Sequence, residues 1–407
     1  MTGTLAAIEQ TVPVEGAIEC EKGVRVCMVT PWKQECGNAE YAERLCTALQ
    51  SFADVCPVDL KNFADEMELR SRTAIRQHFS RILAEIEASN PDVVHIQHEF
   101  CFFGKSIKKS NREFARFVDA IKCPIVVTLH TWIEPPAPQQ KFRLRNLLKF
   151  LRSTDQNRVL YRSLRKCDAI VVHTHDTFST IATAFPRLRS KMQIAQIPIA
   201  PVSSEGVVPA IQKSPGDIWL VLPGFVSKYK GHKHALNALN ALPSNYKLVI
   251  AGGRHPKDRS ATRYWMGLLT DIEKQGLEPR VIFTGFLESG AEQAALLRQA
   301  DAFLLPYDEV GQSGSAVLAD ALAHDKPVIT SRARSMFAYR MCQDTTYSSV
   351  STDVGSPEKL AHVISQTIEA EKSCGRAKKH RTAAGKRYSL SAVGDVYRSL
   401  YANVRRK

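Results

Sequence analysis

Short apolar, β-rich runs alternate with segments of helical period from one end of the chain to the other, and this alternation restricts the fold more than any other feature. Strands buried on both faces read as continuous apolar runs, and helices covering a sheet read as amphipathic stretches between them. The pattern is therefore that of parallel sheets sandwiched by helices. The first series predicts strands over 24–30, 92–97, 124–130, 168–173 and 192–199, with helices such as 39–52 and 73–88 between them. A Pro-, Ser- and Gly-rich stretch follows Ile199 and reads as a linker. The second series predicts strands over 218–224, 247–252, 280–285, 302–306 and 327–331, after which only helical patterns remain.

A chain of 407 residues exceeds what one core usually serves. The expected division is an N-terminal tail over 1–22, a Rossmann-like domain over 23–200, a linker over 201–216 and a second Rossmann-like domain over 217–390. A last helix within 391–407 is expected to pack back on the first domain. Two doubly wound α/β domains then face one another across a cleft bordered by the carboxyl ends of both sheets. No run approaches the roughly 20 apolar residues that cross a bilayer, and the first 22 residues lack the apolar core of a signal peptide, so a cytoplasmic location is expected. The ten cysteines are scattered without a CxxC pair and read as reduced and mostly buried.

The formal charge of +14 implies an anionic partner. Many basic residues fall in 141–166, 376–387 and the C-terminus, in helical patterns without regular aromatic interleaving. They read as solvated helix faces or as a peripheral contact with an anionic membrane at its inner face, rather than a nucleic-acid surface.

The residues just past each strand border the cleft and carry the candidate chemistry. In the first domain Gly37 opens a helix, where bare amides suit a phosphate or a hydroxyl-rich ligand. His98 and Glu99 stand beside aromatic residues, a combination that suits sugar recognition. His130 ends a strand next to Trp132, placed to bind a hydroxyl or accept a proton. His173 and His175 read as structural, with Thr174 or Asp176 capping a helix. In the second domain Gly224 and Lys230 flank a turn into a helix, and Gly253 and Arg254 end the next strand; both suit a diphosphate. An acidic loop with Asp308 and Glu309 then precedes Gln312, Ser313, Gly314 and Ser315, a helix start of small residues, with Asp320 placed for ribose hydroxyls. No histidine or carboxylate spacing implies a metal, and the nucleophile-elbow, Walker and dinucleotide fingerprints are missing.

These elements resemble glycosyltransferase family 4, retaining enzymes of the two-Rossmann GT-B fold. The resemblance rests on "GFVSKYKG" (224–231), "IAGG" (250–253), "FTGFL" (283–287), "QSGSAVLADALA" (312–323) and "PVIT" (327–330), in that order. It implies an acceptor-binding first domain, a donor-binding second domain, and transfer of a hexose from a nucleotide-sugar to a hydroxyl. UDP is the preferred nucleotide and GDP-mannose remains open. The acceptor would be a glycan, a lipid-linked glycan or a small molecule, in polysaccharide, glycolipid or secondary-metabolite glycosylation. By resemblance Lys230 contacts the diphosphate, Asp320 the ribose and His130 the transferred sugar, while Gln312 holds the position of the first acid of a pair. The nucleotide-sugar is a co-substrate, and no metal or further cofactor is implied. Phe225 replaces the family's arginine and Gln312 its glutamate, which leaves a second reading, a non-catalytic glycosyltransferase-like subunit that binds nucleotide or a partner.

Overall fold

The computed structural model describes residues 23–34, 36–61, 71–133, 158–202, 207–254, 259–287, 290–337, 339, 349–374 and 385–406. The tail over 1–22 and most of the basic stretches, 141–157 and 376–384, lie outside the described residues.

Six strands build the first sheet: β1 (Val24–Thr30), β2 (Ala53–Asp59), β3 (Val93–His98), β4 (Ile125–Leu129), β5 (Ala169–Val172) and β6 (Met192–Ile194). They lie in the order β2-β1-β3-β4-β5-β6, and every pairing is parallel. The second sheet, also parallel throughout, holds β7 (Ile218–Pro223), β8 (Tyr246–Ala251), β9 (Val281–Phe283), β10 (Ala302–Leu305), β11 (Val328–Thr330) and β12 (Ser349–Ser351), in the order β12-β11-β10-β7-β8-β9. In both sheets the order reverses beside the first strand of the series, which opens a crevice at the carboxyl edge.

The sequence pattern missed β2 and β12. Each is an edge strand: β2 carries Pro57 and alternates half-buried with exposed residues, and β12 is three residues long. An edge strand is not sandwiched on both faces, so no continuous apolar run marks it, and proline is tolerated where the N–H faces outward. The cysteines also differ from expectation, since only Cys27, Cys46 and Cys167 of the seven described are buried. Of the other four, Cys36 caps a helix, Cys123 lies in the loop before β4, and Cys56 sits on the edge strand β2.

The helices that frame the cleft are α1 (Gly37–Leu49), α2 (His175–Ala184), α3 (His232–Asn240) and α4 (Ala316–Ala323); α5 (Leu390–Arg405) ends the fold. Helix α5 crosses back to the first domain and lies on α1. A Cβ on Gly394 would collide with the Ala48 carbonyl, so the helices cross at close range. The Tyr41 hydroxyl meets that of Tyr397 at 2.8 Å, and the Tyr401 hydroxyl reaches His95 Nδ1 at 2.7 Å. One apolar core passes beneath both sheets, from Met28 and Tyr41 through Trp219 and Phe303 to Tyr339.

Candidate functional site

The second-domain side of the cleft is built by the exits of β10, β7, β8 and β9, which stand side by side. After β7 the chain passes Gly224 at φ 90, makes a turn over Lys228–Lys230, and enters α3 through Gly231 at φ 73. Both glycines are required. A Cβ on Gly231 would strike the Pro306 carbonyl, and one on Gly224 would occupy the place of the Lys230 amine. The turn folds Lys230 inward, leaving it 4% exposed, with Nζ donating to the Pro223 carbonyl at 3.2 Å. Burial lowers its pKa to about 8, while Glu40 and Asp320 pull the other way. Lys228, from the same turn, remains exposed.

At the next exits Val226 N–H donates to the Gly253 carbonyl at 2.9 Å, and the Phe286 ring fills the space where a Gly253 Cβ would sit. Phe225 and Phe286 meet edge to face, centroids 5.4 Å apart. Arg254 is exposed, with Nη1 3.3 Å from the Thr262 hydroxyl, which leaves its head free to swing toward a ligand.

Past β10, Asp308 faces His234 at 3.1 Å. Glu309 accepts from the backbone N–H groups of Gly311 (2.5 Å) and Arg334 (2.6 Å), so it holds the loop in shape. Gln312 pairs with Thr131 of the first domain in an antiparallel bridge. Trp132 N–H donates to the Gly311 carbonyl at 2.9 Å. Ser313 N–H donates to the His130 carbonyl at 2.8 Å, and its hydroxyl to the Leu129 carbonyl at 2.6 Å. A backbone seam thus joins the two domains at the floor of the cleft. Gly314 sits so close that a Cβ would lie 3.0 Å from His173 and Ile197. Ser315 caps α4 by accepting from Leu318 N–H at 3.2 Å, which leaves the amides of Ala316 and Val317 as the donors of that helix start with neither an intrahelical nor a capping partner.

The first domain contributes α1. Cys36 caps it, its thiol accepting from Ala39 N–H at 3.4 Å. A Cβ on Gly37 would meet nothing within 4 Å, so no packing in the protein demands a glycine there. Further along the helix Arg44 pairs with Glu40 and reaches across the cleft to Asp320 at 2.5 Å. Burial raises the Asp320 carboxyl above the ordinary range, and Arg44 works against that rise.

His130 lies under the seam, 8% exposed, in a chain of buried polar groups. Its Nε2 is 2.8 Å from Gln97 Oε1 and its Nδ1 is 3.3 Å from His173 Nε2, whose Nδ1 reaches the Ala195 carbonyl at 2.8 Å. That carbonyl only accepts, so a neutral His173 carries its proton on Nδ1 and presents Nε2 as an acceptor; a neutral His130 has one N–H, which goes either to that nitrogen or to Gln97 Oε1. Burial first, then His173, push the His130 pKa well below the usual value and keep the ring neutral.

Two expected cleft residues are corrected. His98 is fully buried, stacked on Phe103 and edge-on to Phe114, because its side chain points to the helix-covered face of the sheet. Trp132 is 1% exposed and packs edge to face on Phe185. Ser313 is also committed, to the seam and not to a ligand. Glu99 remains near the cleft, accepting from the Thr131 hydroxyl at 2.7 Å, and burial raises its pKa. Thr174 caps α2 through Thr177 N–H at 3.0 Å. Glu40 and Arg44 were missed because an i, i+4 acid–base pair on an amphipathic helix reads as solvated surface; their signal was a position one and two turns beyond the Gly37 loop. Among the described residues no cluster of three or more His, Cys, Asp or Glu is disposed to hold a metal, and no helix is long and apolar enough to cross a membrane.

Comparison with known proteins places the two domains in known families. Residues 20–196 match the model for Glycosyltransferase Family 4, and residues 218–370 match that for Glycosyl transferases group 1. The chain is a GT-B-type glycosyltransferase. Its fold is shared by Anabaena HepE in complex with UDP-glucose, at 16% identity and a TM-score of 0.63, covering 93% of this chain and 99% of that one. The UDP-forming α,α-trehalose-phosphate synthase of Burkholderia vietnamiensis has 9% identity and a TM-score of 0.66, covering 95% and 99%. The Burkholderia xenovorans synthase in complex with glucose-6-phosphate has 10% identity and a TM-score of 0.66, covering 93% and 100%. No curated protein matches the chain in sequence.

Proposed function

We propose that this glycosyltransferase moves a hexose from a UDP-sugar, with GDP-mannose as the competing donor, to an acceptor hydroxyl, with retention and without a metal. The observation that carries the reading is the convergence on one cleft of Lys230, the bare first turn of α4, and Gly37, a glycine that no protein contact requires. A buried cation beside unpaired helix amides suits a diphosphate. The UDP and UDP-glucose held by Anabaena HepE favour uridine.

In this reading Lys230 and the α4 amides hold the diphosphate, Gln312 and Glu309 lie toward the sugar, and Asp320 faces the ribose. The acceptor oxygen attacks the anomeric carbon on the face from which the diphosphate departs. The carbon–oxygen bond to phosphate breaks, and the acceptor proton passes to a phosphate oxygen. Gln312 is an amide, so that position offers no carboxylate nucleophile, which favours this direct route. His130, neutral and engaged through both nitrogens, acts as a hydrogen-bonding group rather than a base. The acceptor enters along the first-domain exits near Glu99, and the net charge of +14 favours an acceptor presented at an anionic membrane.

A thermal-shift and hydrolysis panel of UDP-glucose, UDP-galactose and GDP-mannose tests the reading. A UDP-sugar should stabilise the protein and be hydrolysed slowly, and Lys230→Ala should abolish both effects. A protein stabilised by none of them is not a nucleotide-sugar transferase. One that binds a donor but transfers nothing to water or to glycan acceptors is the non-catalytic subunit that Phe225 and Gln312 also suit. Co-sedimentation with anionic liposomes at low salt tests the membrane contact, which fails if the protein stays in solution.

A further inference from the structure

Among the described residues the donor domain buries one cation in the cleft, Lys230, whereas a nucleoside diphosphate bears more than one negative charge. A search for the second cation leads to the other domain. Arg44 leaves α1 with its side chain 13% exposed and points at the α4 face of the donor domain. Its Nη2 serves two carboxylates, Glu40 of the same helix and Asp320 across the cleft. Its Nη1 is buried and has no hydrogen-bond partner. A guanidinium is a planar fork whose two Nη groups can engage different acceptors together. One half of this fork is occupied and the other half is vacant.

We propose that Arg44 is the second cation of the donor diphosphate site, brought by the first domain and held ready by Asp320. This inference rests on the nucleotide-sugar reading of the cleft. Glu40 and Asp320 both act on Lys230, so the two cations and two carboxylates form one charged group spanning the domains. Lys230 is fixed from below by the Pro223 carbonyl, and Arg44 is fixed from the side by Asp320. A diphosphate entering between them takes the free Nη1 of Arg44 with its terminal phosphate while Lys230 holds the bridge side. The donor would then be sensed by both domains at once, and Arg44 would register the second phosphate rather than the nucleoside.

The test is the ratio of UMP to UDP dissociation constants, measured by calorimetry on the full chain; GDP and GMP replace them if guanine nucleotides bind wild type more tightly. In Arg44→Gln the affinity for UDP should fall about ten- to a hundredfold. UMP should weaken less than about threefold, so the ratio collapses toward one. Asp320→Asn removes the charge from the same cross-domain pair but keeps the cation and leaves an amide oxygen to hold it in place. It should weaken UMP and UDP together and leave the ratio as in wild type. If Arg44→Gln leaves the ratio unchanged, or Asp320→Asn collapses it equally, Arg44 is only a tether between domains and the inference is overturned. If wild type binds no nucleoside diphosphate, the nucleotide-sugar reading itself fails, a result distinct from the previous two.

Discussion

Replacing Lys230 with methionine should stabilise the protein while abolishing donor binding, and the gain should depend on pH in a defined way. The amine is 4% exposed, its hydrogen-bond acceptor is the Pro223 carbonyl, and burial lowers its pKa from 10.5 to about 8. The folded pKa lies below the unfolded one, so the unfolded chain holds the proton more tightly. The protonated amine therefore opposes folding in full below pH 8, and this opposition fades as pH rises toward 10.5. Linkage makes the cost about 3 kcal/mol at pH 7 and about 1 kcal/mol at pH 9.5. Methionine fills nearly the same volume without a charge and carries neither cost. In urea unfolding followed in parallel at both pH values, the advantage of Lys230→Met over wild type should shrink by about 2 kcal/mol between pH 7 and pH 9.5. Titrating groups that do not interact with Lys230 are common to the two proteins and cancel in this difference. An advantage that stays constant with pH would refute the claim that Lys230 is a charged group held against its desolvation cost.

Three further outcomes follow from the same geometry. Donor affinity in wild type should fall about tenfold per pH unit above pH 8, as Lys230 loses its proton, read from the KM of the donor or by calorimetry; a flat profile to pH 10 would separate Lys230 from the diphosphate. Gly37→Val places its side chain where nothing lies within 4 Å, so thermal stability should stay within about 0.5 kcal/mol of wild type while UDP affinity falls at least about tenfold. Tyr401→Phe leaves His95 Nδ1 buried without its partner and should cost about 1–3 kcal/mol in chemical unfolding; an unchanged midpoint would mean that α5 is not fastened to the first sheet there.

Most of the fold was legible because its central strands are buried on both faces and announce themselves as apolar runs. The edge strands β2 and β12 were not, since an edge has only partial burial to write into the sequence. The site divides along the same physical line. Lys230, Gly224 and the small-residue start of α4 were legible from strand exits and glycines, which are local properties. His98 and Trp132 were misplaced because a residue at a strand exit faces either the cleft or the covering helices, and a shift of one position exchanges the two. The partnership of Arg44 with Asp320 could not be read at all, because it joins residues of different domains.

The seam decides how the two halves can work together. Backbone bonds link His130 and Trp132 to Ser313 and Gly311, so the segment carrying Gln312 moves with the first domain's β4 exit. Donor-side and acceptor-side groups at the floor of the cleft are then positioned by one strap, independent of how far the upper walls part. Two glycines keep that strap close: a Cβ on Gly311 would lie 2.7 Å from the Trp132 carbonyl oxygen, and one on Gly314 3.0 Å from His173 and Ile197. Gly314→Ala forces His173 and Ile197 to give by a few tenths of an ångström against the strap, and should cost about 1–3 kcal/mol. If the strap positions the reaction, this variant should lower kcat several-fold while leaving the affinity for UDP within about twofold, because Lys230, the group proposed to hold the diphosphate, lies off the seam. Loss of UDP affinity with kcat retained would show instead that closure serves binding, and that the seam has no part in aligning acceptor and donor.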